Sequence, residues 1–141
     1  MYKKDYLVRQ LESFSKFLGI VIGLRKNKDY QQFEEELEKL VSSFTNQELN
    51  SIRTESFSEF NERVARNPEL NPIKIRMLAD ALFELCVSDI EKESNNENSI
   101  LEKTFFLYQK YQSELVSNEF DLEVNYRIKF LDKLINPISD K

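Results

Sequence analysis

The sequence predicts an all-α fold, a single compact bundle of six to seven antiparallel helices, on three observations. Apolar residues recur with helical period along nearly every segment. No segment alternates with period two for long enough to make a strand. Only two glycines and three prolines occur in 141 residues, too few for the tight turns of a β-sandwich or barrel. A chain of this length makes one domain able to bury a core without disulfides or metal. Residues 1–67 supply the N-terminal helices, and residues 71–137 a C-terminal helical hairpin plus a capping helix.

The first helix covers residues 4–26, with Leu7, Leu11, Phe14, Leu18, Val21 and Ile22 in one stripe. Phe17, Ile20 and Leu24 lie outside that stripe, so the second half is apolar almost all round. Residues 6–25 are therefore expected to be the central element, contacted on more than one side. Asp29 is placed to N-cap a helix over about 30–44, whose stripe is Tyr30, Phe33, Leu37, Leu40, Val41 and Phe44. Thr45 and Glu48 have capping-box spacing before a short helix through Leu49 and Ile52. Ser56 and Glu59 repeat it before Phe57, Phe60 and Val64.

Asn67-Pro68 stops that helix, and Asn71-Pro72 starts the next with Asn as cap and Pro at the first helical position. This helix runs to about Glu93 and buries Ile75, Leu78, Leu82, Leu85 and Cys86. The polar run Ser94–Ser99 reads as a loop. A helix over about 97–117 carries Leu101, Thr104, Tyr108, Tyr111 and Leu115. Asp121 caps the last, about 122–135, with Val124, Ile128, Leu131 and Ile135 inward and Asn136-Pro137 at its end.

Composition excludes much chemistry. Histidine is missing, which removes Ser-His-Asp and Cys-His nucleophilic sites, His-ligated zinc and the Glu-x-x-His motifs of di-iron bundles. A single cysteine, Cys86, allows neither an intrachain disulfide nor a Cys-x-x-Cys motif, and it reads as an inert core thiol. Both glycines fall inside one helix, so no phosphate-cradling loop, dinucleotide fingerprint or EF-hand loop is available. The chain is therefore expected to be non-catalytic and to carry no cofactor. The apolar run Phe17–Leu24 is well short of a bilayer span, and no secretory signal is read, so the expected compartment is the cytoplasm.

Charge is uneven. Residues 1–28 carry Lys3, Lys4, Arg9, Lys16, Arg25, Lys26 and Lys28 against Asp5 and Glu12, a net +5 in a chain whose total is −5. This basic first helix either docks on the acidic remainder of its own chain or meets an anionic surface, such as a membrane. An acidic chain with no basic-aromatic stripe is a poor nucleic-acid binder.

Gly19 and Gly23 lie four apart on the first helix, with Ser15 one turn earlier. Each glycine costs roughly 1 kcal/mol of helix propensity, an expense that close packing of another backbone would offset. The strip is read as a docking face, within the chain or between chains, with Gly19→Leu or Gly23→Leu expected to destabilise the fold or an oligomer. Phe106, among Glu102, Lys103, Gln109 and Lys110, is either core in a sandwiched helix or an exposed anchor. Asp89 falls in the stripe of Leu78, Leu82 and Leu85. It either marks a site or, near its helix end, reaches solvent or pairs with a Lys or Arg.

Glu35-x-x-Glu38 and Glu59-x-x-Glu62 each set two carboxylates on one helical face, the spacing of helical Mg²⁺ sites. A Mg/Mn-dependent hydrolase on those four residues is the catalytic alternative, against a solvated-face reading of the same glutamates. The interaction surface expected from sequence comprises Ser15, Gly19, Ile20, Gly23 and Phe106. Its expected occupant is a protein or peptide, or a second copy in a homodimer.

The opening Met1-Tyr-Lys-Lys-Asp-Tyr-Leu-Val-Arg-Gln10, Ile22-Gly-Leu-Arg-Lys26, Leu78-Ala-Asp-Ala-Leu82 and Asn118-Glu-Phe-Asp-Leu122 resemble an uncharacterised bacterial family of small all-helical proteins. The resemblance spans most of the chain. It implies tetratricopeptide-like helical hairpins in the C-terminal half and brings no activity, substrate or site residue with it. Residues 72–117 offer Ser88, Ile100 and Thr104 where the tetratricopeptide consensus differs, so the likeness is one of shape.

Overall fold

The computed structural model describes residues 2–93, 98–115 and 121–136. Among them are seven helices and no strand: α1 Tyr2–Lys26, α2 Tyr30–Thr45, α3 Leu49–Thr54, α4 Phe57–Arg66, α5 Pro72–Glu91, α6 Asn98–Ser113 and α7 Leu122–Ile135. The expected loop at Ser94–Ser99 lies partly outside the described residues, as does Pro137.

Four of the expected caps form. The carboxylate of Asp29 accepts from Gln32 N, the amide oxygen of Asn71 from Lys74 N, and the carboxylate of Asp121 from Val124 N. Ser56 and Glu59 make a reciprocal box, each side chain accepting the other's backbone N–H. The box expected at Thr45 and Glu48 does not form. Thr45 stays in α2 and its hydroxyl donates to the Val41 carbonyl, four residues back. Asn46 then ends α2 in the left-handed region at φ 60°.

The core is organised around α5, not α1. Helix α5 packs against α1, α2 and α6, and twelve of its residues are buried, from Ile75 to Asp89. Ring contacts place Phe14 and Phe17 beside Phe44, so α1 and α2 run antiparallel. Asp80 meets Tyr108 and Cys86 meets Thr104, so α5 and α6 do too. Helix α7 lies on α6, and α4 covers the other flank of α6. Among residues 6–26 of α1, Phe14, Leu18, Val21 and Arg25 are buried, while Phe17 and Ile20 are 53% and 69% exposed. The apolar girdle of α1 therefore has two faces toward its own chain and a third toward solvent. The expectation that residues 6–25 form the centre is corrected on that ground.

Because α5 is enclosed, its charged stripe is enclosed with it. Arg76, Asp80, Glu84 and Glu91 recur at helical spacing along one side of α5. Arg25 of α1 donates to Glu84 at 3.0 Å and to Glu91 at 2.7 Å. Asp80 takes the Tyr108 hydroxyl at 2.5 Å, Arg127 of α7 at 2.9 Å and the Arg76 Nε at 3.1 Å. Arg76 reaches on to Asp121 and Glu123 at the start of α7. This network ties α1, α6 and α7 to the central helix.

A second buried charge sits on α6. Lys103 is fully buried, and its ammonium donates to the carbonyls of Ile52 and Glu55 at the end of α3, 5.7 Å from the centre of the Phe60 ring. It satisfies the carbonyls that a helix terminus leaves unpaired.

Candidate functional site

The chain reverses between α1 and α2 over Asn27–Asp29. Asn27 N donates to the Gly23 carbonyl and Asp29 N to the Leu24 carbonyl, with Lys28 at φ 63°. This turn brings the third face of α1 alongside α2. Phe17, Ile20 and Leu24 come from α1, Leu40 and Phe44 from α2, and Val21 lies at the floor. They line an open groove of about 450 Å³ whose far rim is polar, with Gln32, Glu36, Lys39 and Ser43. Phe44 sets its edge on Phe14 at 5.4 Å and also meets Phe17, fixing one end of the groove. An aromatic and a β-branched residue exposed side by side over an apolar depression is the kind of surface that marks partner contact.

Of the five surface residues expected from sequence, only Ile20 lines this groove. Ser15 and Gly19 are exposed and Gly23 is half-exposed. A Cβ added at Gly19 or Gly23 meets nothing within 4 Å. The strip therefore packs against nothing among the described residues of its own chain. That part of the sequence reading is corrected, along with the fold destabilisation expected of Gly19→Leu and Gly23→Leu. Phe106 is withdrawn as an exposed anchor as well. It is half-buried, with Phe57 and Phe60 of α4 edge-on to it at 6.2 and 6.3 Å, because α4 covers the side of α6 that its polar neighbours suggested was open.

The glutamate pairs are not brought together. Glu35 and Glu38 border one surface depression, beside Lys39 and Ser42. Glu59 borders another, of about 620 Å³, with Glu48, Glu55 and Arg63. There Arg63 donates to both carboxylate oxygens of Glu55 and to Gln47. Glu59 is committed to its cap, and hydrogen bonding from Ser56 holds its carboxyl below the ordinary range. Among the described residues no group of three or more His, Cys, Asp or Glu is placed to hold a metal ion.

The buried ionisable groups form a structural core. Burial pushes the Asp80 and Glu84 carboxyls above their ordinary values, and the neighbouring guanidiniums pull them only partly back. Burial, with Asp80 beside it, raises the Tyr108 phenol. Asp89 is 5% exposed and engaged within the protein, so it does not reach solvent as its place near the helix end suggested. Burial raises the Cys86 thiol to about 12, leaving it protonated and unreactive at neutral pH.

Sequence reasoning missed Phe17, Leu24, Leu40 and Phe44 as groove residues, reading each as core. The available signal was the girdle itself: α1 has more apolar faces than α2 and α5 can cover. No helix among the described residues is long and apolar enough to cross a membrane. No family model, curated protein or solved structure matches the chain.

Proposed function

We propose that the protein is a non-catalytic interaction module whose α1–α2 groove takes a protein or peptide partner. One observation carries this reading: Phe17 and Ile20 stand 53% and 69% exposed at the edge of an apolar groove of about 450 Å³. An exposed aromatic and an exposed Ile cost solubility, and a partner that buries them recovers about 25 cal/mol per Å² of apolar surface. Apolar anchors framed by polar rim residues are the usual anatomy of such interfaces. On this reading the protein works in the cytoplasm, and the glutamates of α2 and α4 are a solvated surface.

The test is photo-crosslinking in the native cell. A benzophenone amino acid replaces Phe17, Ile20 or, as a control, the exposed Gln31 of α2, which does not line the groove. Defined protein adducts from positions 17 and 20, absent from 31, are the expected result. No adduct from either groove position above the control overturns the reading.

A further inference from the structure

No further inference is drawn: the strongest candidate, the open apolar groove between α1 and α2 with Phe17 and Ile20 exposed at its edge, belongs to the site already described, and nothing in the structure shows what covers it.

Discussion

Replacing both helical glycines by alanine should stabilise this protein. At Gly19 and Gly23 the backbone is helical, neither residue has positive φ, and an added Cβ meets nothing within 4 Å. No contact opposes the gain, so the difference in helix propensity applies almost undiminished, about 0.8–1 kcal/mol at each site. Together the two changes contribute about 1.5–2 kcal/mol. Unfolding entropy near 2.1 cal/mol/K per residue, over a chain of this length, converts that into a rise of roughly 5–7 °C in thermal midpoint. Calorimetry and urea titration of Gly19→Ala, Gly23→Ala and the double variant, all at low protein concentration, read the effect. A lower midpoint in either single variant would mean that something covers the strip, and the placement of α1 would be wrong.

Three other perturbations probe the interior and the caps. Lys103→Met keeps the aliphatic bulk but leaves the Ile52 and Glu55 carbonyls without their ammonium donor; a loss of about 2–3 kcal/mol in urea unfolding is expected, and a loss under 0.5 would deny the lysine its anchoring role. Arg127→Leu strips one guanidinium from Asp80 and should cost about 3 kcal/mol, with Asp80→Asn in the same background recovering part of it if the burden is the uncompensated carboxylate. The Glu59 carboxyl is held below its ordinary 4.5, so its stabilisation is complete above that pH and is lost as pH falls through the lowered value; Glu59→Gln should flatten that part of the acid limb, and an unchanged limb would contradict the cap.

Helix positions were legible because they rest on local chemistry. Asp29, Ser56, Asn71-Pro72 and Asp121 each satisfy donors within three residues, and all four act where their spacing placed them. Thr45 was misread because a threonine hydroxyl can serve either a following helix or its own. Here Val41 O, one turn back, wins. What sequence could not supply is which helix the others surround. Both α1 and α5 are apolar on most sides. The sequence assigns α5 one buried stripe, Ile75 to Cys86, and the positions of Arg25 and Arg127 on distant helices show that its charged side is paired and enclosed too. Lys103 was misplaced for the same reason, since its partners are carbonyls some fifty residues away. Phe106 lost its place on the surface once α4 was seen to cover it. The candidate site was half legible: Ile20 was singled out with the glycines, while the groove beside it comes from an α1–α2 packing that no periodicity reveals.

Carbene footprinting of the folded chain in dilute solution, read residue by residue, tests most directly whether the α1–α2 face is open to partners. In dilute solution Phe17 and Ile20 should label as heavily as Tyr126 and Leu122, which are 69% and 72% exposed on α7. Buried Phe14 and Leu37 should stay silent. Silence at Phe17 and Ile20 in dilute protein, matching Phe14, would mean the chain covers its own groove.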